Sequence, residues 1–303
     1  RIGGPRAARM LGGLLSADIE GMPVEASGLS FVLNSKGRPL AVPRVLRLED
    51  SVILDISRAA VSGVEEHLAT YLPPRFATVE VLESASRLSV LGPRWTEAAA
   101  RSGMDVDRVG FVQDLNPDMT GGQAAAGVVR DPEDGAGFDV YDWHDTSRDA
   151  LIAMAAELGG AEASVADHET WRIEAGIPRF GLDVTSENLP QETGLVERAV
   201  SFDKGCYTGQ EVVARIHYRG HVNRRLVGVR WEGTDTPSVP TRGAGLYSGD
   251  RKAGHVTSSC TSPCFGPIAL AYVRRELDAG DRLGLLPEGP PEWIVSTLPF
   301  TLT

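Results

Sequence analysis

The densest chemistry in this chain of 303 residues is the run Lys204-Gly205-Cys206-Tyr207-Thr208-Gly209-Gln210-Glu211. A glycine beside a thiol leaves the sulfur open to a partner, because no neighbouring side chain shields it. If a helix begins near Gly209, Cys206 stands close to its positive end, and Lys204 adds an ammonium two residues away. Both favour the thiolate and so a reactive cysteine. The same spacing also suits a small cysteine buried in a turn. Downstream, residues 214–230 carry five arginines, Arg215 first among them, with two histidines and no acid. Such a positive island can hold a phosphate or a polycarboxylate tail, or steer an acidic partner to the thiol, and it can equally be a solvated helix face. His217 and His221 have helical metal-pair spacing, but Gly220 weakens a helix between them.

Three other groups of residues have types suited to chemistry. Glu174 and Arg172, in Trp171-Arg172-Ile173-Glu174-Ala175-Gly176-Ile177-Pro178, place a carboxylate and a guanidinium on the last turn of a helix. A carboxylate there suits paired N–H donors of a flat heterocycle; an ordinary surface helix end is the alternative. Cys260 and Cys264, with Cys206, make three thiolates, one short of the usual cluster set unless a histidine substitutes. Residues 131–145 hold six acids (Asp131, Glu133, Asp134, Asp139, Asp142, Asp145) and no Lys or Arg, which reads as a solvated hairpin or loop. GxGxxG, GxxxxGK[ST] and HExxH are absent, so dinucleotide, P-loop and zincin readings have no support.

The elements that must position these groups are mixed. Strands are expected at 29–34 and 42–48, around a turn at Lys36-Gly37, and at 51–56. Ser57 is expected to cap a helix to Leu72 with Val61, Val64, Leu68 and Leu72 on one face. Strands over 78–83 and 87–91 follow, then a helix capped by Thr96 and ending at Gly103. Helices are expected over 147–158 (Ser147 capping), from near Asp167 to Gly176, and from after Gly209 to Gly220, with 181–200 loop-like. From about Asn223 the texture becomes short strands between Gly and Pro turns, which suits a small β-barrel contributing few ligand contacts. The order in the first third fits an α+β layer and not a doubly wound sheet.

Composition bounds the rest. At 42% hydrophobic and 23% charged the chain can bury a real core. No apolar run approaches the ~18 residues a membrane helix needs. A net charge of −11 argues against a broad nucleic-acid grip, so no direct nucleic-acid partner is expected. Three cysteines cannot all pair within one chain, which points to a reducing, cytoplasmic setting. Only Lys36, Lys204 and Lys252 are lysines, against 27 arginines, which singles out Lys204 beside the thiol. Arg1 in place of methionine leaves room for an upstream segment, a targeting peptide included.

KGCYTGQE, with RIEAGIPRFGLDV and LPQETGL before it, resembles the YgfZ-type folate-binding proteins of the glycine-cleavage T-protein superfamily, and HVTSSCTSPCFGPIALAYV is similar to the T-protein C-terminal barrel segment. The start is weaker, since Gly4-Pro5-Arg6 lacks the expected Gly-x-Asp. The resemblance implies a cloverleaf: two α+β lobes around a central folate-binding hole (residues 1–222) and a C-terminal β-barrel (223–303). It implies tetrahydrofolate or a derivative as cofactor, with Glu174 facing the pterin and Arg172, Tyr207, Gln210, Glu211 and Arg215 lining the site. It also implies a role in assembly or repair of iron–sulfur enzymes, tRNA-modifying ones included, with Cys206 as reactive thiol and Lys204 beside it, iron–sulfur client proteins as partners, and no resident metal. True aminomethyltransferases carry acids shortly after the glycine matching Gly37, one of which acts on the folate N10. Here the run is Gly37-Arg38-Pro39-Leu40-Ala41-Val42-Pro43, and KGDFIG is replaced by KGCYTG. General acid–base work needs a titratable group within reach, and the expected one is absent. A folate-dependent one-carbon transferase using another acid, and a metal or cluster carrier built from Cys206, Cys260 and Cys264, stand as alternatives.

Overall fold

All the strand ladders run antiparallel in the computed structural model, which describes residues 1–83, 85–115, 125–130, 135–144, 146–233 and 239–301. A doubly wound sheet needs parallel strands and crossover helices, so the α+β reading holds. The chain divides into two compact units. The first comprises Arg1–Ser30, Pro43–Asp55 and Glu66–Ala163; the second comprises Phe31–Val42, Ile56–Glu65 and Ser164–Thr303.

The first unit holds β1 (Ile2–Gly3), helix α1 (Ala7–Gly12) and β2 (Ala26–Leu29). The strand expected over 29–34 is divided: β2 ends at Leu29, and β3 (Val32–Leu33) pairs with β4 (Pro39–Ala41) in the second unit. With β5 (Arg44–Arg47), β6 (Ser51–Asp55) and β7 (Thr78–Val79), the first sheet runs β2-β5-β6-β1-β7. Helix α2 (Val61–Tyr71) buries Val64 and Leu68, with Leu72 just beyond it, as the 3.6-residue period requires. Ser57 precedes a 3-10 turn and makes no side-chain cap bond. A second sheet, β8 (Ser86–Leu91), β9 (Val112–Asp114), β10 (Ala125–Val129) and β11 (Gly137–Asp142), has the order β8-β11-β10-β9. Val129, Phe138 and Val140 pack with Ala98 and Ala99 of α3 (Trp95–Arg101) and with Leu151 and Met154 of α4 (Arg148–Glu157). Arg94, not Thr96, is the cap position of α3; Ser147 caps α4 in position but not with its hydroxyl.

The acid-rich run is a correction. Residues 131–134 and 145 lie outside the described residues, but Asp139 and Asp142 are buried on β11. Asp139 forms a 2.6 Å ion pair with buried Arg130. Burial opposes its charge, yet Arg130 and Arg87 hold the carboxyl below the usual range. Asp142 accepts from the His144 and Ser147 backbone N–H groups, closing the turn into α4. They read as solvated because Asp139 takes its arginines from outside the run and Asp142 is satisfied by backbone N–H groups, which composition does not show.

The second unit contains α5 (Val165–Glu174), the short α6 (Val196–Ala199) and α7 (Gln210–Arg219), then, among the described residues, strands and no helix: β12 (Arg224–Trp231), β13 (Gly245–Ser248), β14 (Arg251–Ser262), β15 (Gly266–Arg274), β16 (Arg282–Leu283) and β17 (Trp293–Ser296). Their order is β13-β14-β15-β12-β17-β16. Tyr247 and Gly284 exchange two 2.8 Å backbone bonds, which joins the two outer strands and nearly closes the barrel. Val227, Val229, Val256, Ala271, Val273 and Trp293 fill its interior. β15 is buried on both faces, because Ile268 and Leu270 point outward onto Ile173 of α5 and Phe300. A register shift in β14 between Val256 and Ser258 re-aims that strand, so Ser258, Cys260 and Ser262 after it lie on the α5 side.

Candidate functional site

Helix α5 opens with a capping box in which Ser164 and Asp167 satisfy each other's backbone N–H groups. It ends at Gly176, whose φ of +70° and close approach to Leu298 admit no side chain. Arg172 is buried, and its five donors are all engaged: Glu169 twice, the Ile177 carbonyl at 2.6 Å, Asp183 at 2.8 Å and Ser258 at 2.8 Å. Asp183 also accepts from the Arg179 N–H and from the Thr257 and Ser258 hydroxyls. Burial works against the Glu169 charge, but Arg172 and Arg179 hold its carboxyl below the usual carboxylate range. Arg172 has no donor left for a ligand, and its role in this arrangement is to fix the helix.

Glu174 is the exception in this neighbourhood. It is half-buried, and among the described residues it forms no ion pair; Oε1 accepts from the Ser262 hydroxyl, and Oε2 has no hydrogen-bond partner. Its own carbonyl accepts the Phe300 N–H at 2.9 Å, which pins the helix end. Cys260 lies between, half-buried, with Thr170 as hydrogen-bond partner. Burial, aided by the charges of Glu174 and Glu169, pushes its thiol up to about 11.

The thiol segment is built differently. Cys206 is exposed, and Gly205 has open space where a side chain would stand. Gly209, at φ +82°, caps α7, whose first residue is Gln210. The β3–β4 turn packs against that start: a Cβ on Gly209 would lie 2.5 Å from the Asn34 carbonyl, and one on Gly37 (φ +68°) 2.9 Å from Val212. Arg38, beyond the tip, donates to the Glu187 carbonyl at 2.9 Å, and β4 carries no acid. Lys204 sits with its ammonium 5.0 Å from the Tyr207 ring centre, so it faces the ring beside the thiol. Tyr207 is buried; its hydroxyl has no hydrogen-bond partner among the described residues, and burial pushes the phenol up to about 12. Gln210 is half-buried, Glu211 and Arg215 exposed.

The positive island is smaller than its sequence suggests. Arg224, Arg225 and Arg230 pair with Glu192, Asp278 and Glu232, leaving Arg215 and Arg219 without an ion pair among the described residues. His217 stacks on Phe202 with ring centres 3.8 Å apart. Helix α7 ends at Gly220, so His221 is off the helix. Among the described residues no group of three or more His, Cys, Asp or Glu side chains is placed to hold a metal, and the three thiols form no such group. Sequence reasoning missed Ser258, Ser262 and Asp183. The i, i+2 spacing of 258, 260 and 262 puts them on one strand face, but their partners Arg172 and Glu174 lie 86 and 88 residues away, which no local pattern reveals.

Residues 224–300 match the family model of the glycine cleavage T-protein C-terminal barrel domain. Over nearly all of its length (99%) the chain superposes on glycine cleavage system aminomethyltransferase T from Bartonella henselae, with a TM-score of 0.83, 22% identity and 82% of that chain covered. The chain belongs to the T-protein-like superfamily, which includes YgfZ- and IBA57-like members. Within it, the chain is similar to relatives under three names. An aminomethyltransferase of Saccharopolyspora erythraea is 29% identical over 291 residues, 91% of this chain and 76% of that one. The mitochondrial iron–sulfur cluster assembly factor IBA57 of Mus musculus is 27% identical over 305 residues, 92% of this chain and 76% of its own. The tRNA-modifying protein YgfZ of Vibrio vulnificus is 32% identical over 163 residues, 51% of this chain and 48% of its own. Among the described residues no helix is long and apolar enough to cross a membrane.

Proposed function

We propose that the chain is a tetrahydrofolate-binding accessory protein for iron–sulfur proteins, with Cys206 as the thiol presented to a client in a reducing compartment. The observation that carries the reading is the α7 start: an exposed thiol precedes it, and the hairpin whose tip packs on Gly209 and Val212 continues as Arg38-Pro39-Leu40-Ala41 with no carboxylate. Proton transfer to a folate nitrogen lacks its acid at that place, while a thiol open to a partner is available. The relatives named IBA57 and YgfZ support the iron–sulfur and tRNA-modification side of the reading.

For the folate, the half-buried Glu174 carboxylate offers a charged acceptor to the N–H groups of a pterin, each bond contributing about 1.5–3 kcal/mol. Tyr207 offers a phenol that remains a donor across the physiological range. Gln210, Glu211 and Arg215 are assigned to the tail side and mouth of the same site; Arg172 acts by holding α5. Calorimetry tests this: Glu174→Gln weakens tetrahydrofolate binding at least about tenfold without changing the unfolding temperature. Unchanged affinity removes Glu174 from the site. Cys206→Ser abolishes support of iron–sulfur enzyme activity while folate affinity stays near that of the unaltered protein. Folate-dependent one-carbon transfer, the second reading, draws on the aminomethyltransferase relatives. Release or capture of formaldehyde by the purified protein with folate would establish it.

A further inference from the structure

We infer that Ser262, carried on the barrel strand β14, is the positioning residue that fixes the Glu174 carboxylate for its ligand; this rests on the folate reading of Glu174. A serine hydroxyl has one proton to donate and two lone pairs with which to accept. Both accepting directions of Ser262 are filled by backbone N–H groups of the hairpin tip, Cys264 at 3.0 Å and Phe265 at 2.9 Å. The proton is thereby directed to one acceptor, Glu174 Oε1. Ser262 is only 3% exposed, so solvent does not compete for that bond.

The consequence for Glu174 is orientation as well as charge stabilisation. A glutamate on the last turn of a helix has three side-chain torsions, and ordering them upon binding costs free energy that a preformed bond removes in advance. One oxygen is held by the barrel and the other keeps its full accepting capacity. The sequence reading gave the barrel few ligand contacts; here it acts through a contact to the acceptor and not to the ligand. The outward set Ser258, Cys260 and Ser262 then forms one rail, meeting Arg172, Thr170 and Glu174 in turn.

The test is a calorimetric titration with tetrahydrofolate of the unaltered protein, Ser262→Ala, Ser262→Thr, Glu174→Ala and the Ser262→Ala/Glu174→Ala pair, with thermal unfolding of each. Ser262→Ala is expected to weaken binding about tenfold, the worth of one hydrogen bond to a charged group. Ser262→Thr, which keeps the hydroxyl, is expected to recover most of that loss. In the Glu174→Ala background the serine substitution is expected to change affinity no further, since nothing remains to be oriented. An equal loss in both backgrounds means a purely structural role and overturns the inference. So does Ser262→Ala binding like the unaltered protein while Glu174→Ala is weakened; in that case the folate reading of Glu174 survives. Glu174→Ala binding as tightly as the unaltered protein, or no binding by the unaltered protein, overturns both.

Discussion

The two candidate regions of the second unit are held in opposite ways. Where α5 lies on β14, polar groups close on one another: Arg172 gives five bonds, Asp183 takes four, and both are buried. Where the thiol loop enters α7, the backbone does the holding through Gly37 and Gly209, and the side chains of Cys206, Glu211 and Arg215 stay exposed. A saturated polar network suits a ligand that must meet a fixed group. A backbone clamp with open side chains suits a partner that arrives from outside.

Breaking the first region should cost the most. Asp183→Ala removes one of the two carboxylates that pair with buried Arg172, and breaking such a pair costs up to about 3–5 kcal/mol. Urea unfolding should show that loss with little change in the iodoacetamide labelling rate of Cys206. A loss below about 1 kcal/mol would mean that Glu169 and Ser258 hold the helix unaided.

Gly209→Ala strikes the second region. It demands a side chain at positive φ against the Asn34 carbonyl, with an expected cost of about 1–3 kcal/mol. Cys206 labelling should change in this variant, because the loop loses its seat. Unchanged labelling would uncouple the hairpin from the thiol.

The thiols give the smallest and most graded contrast. Cys206 should be alkylated first at neutral pH and Cys260 last. The folded Cys260 thiol is pushed up to about 11, so the neutral form it favours contributes stability below the ordinary thiol range of ~8.5. That contribution should fade as pH rises toward 11, and Cys260→Val should flatten this part of the alkaline limb. If Cys260 reacts as fast as Cys206 at neutral pH, the two regions do not differ in the way described.

Much of this was legible in the sequence because it is local. Gly209 and Gly220 bound α7 where glycine punctuation puts its ends, and the barrel strands from Asn223 follow from alternation between Gly and Pro turns. β16, only two residues long, is too short to leave a period. What sequence could not carry was pairing at a distance. Asp139 and Asp142 looked solvated because their partners lie on other strands or across a turn. Arg172 looked like a ligand group because its acceptors, Asp183 and Ser258, sit 11 and 86 residues away. Ser262 was invisible for the same reason: its importance lies in which oxygen its proton reaches.

The contact of Gly37 with the α7 start also bears on how such a scaffold can change through descent. Neither glycine can be replaced without moving the other's neighbour, so a change in the hairpin tip calls for a matching change in the thiol loop. Of the positions after Gly37, Arg38 and Leu40 are only half-buried and lie outside that constraint, whereas Pro39 and Ala41 are buried in the β3–β4 pair. A lineage can therefore acquire or discard a proton-transferring side chain there while the frame and its cysteine loop stay as they are. Catalysts and non-catalysts can then share one architecture, separated by a few codons in one short turn.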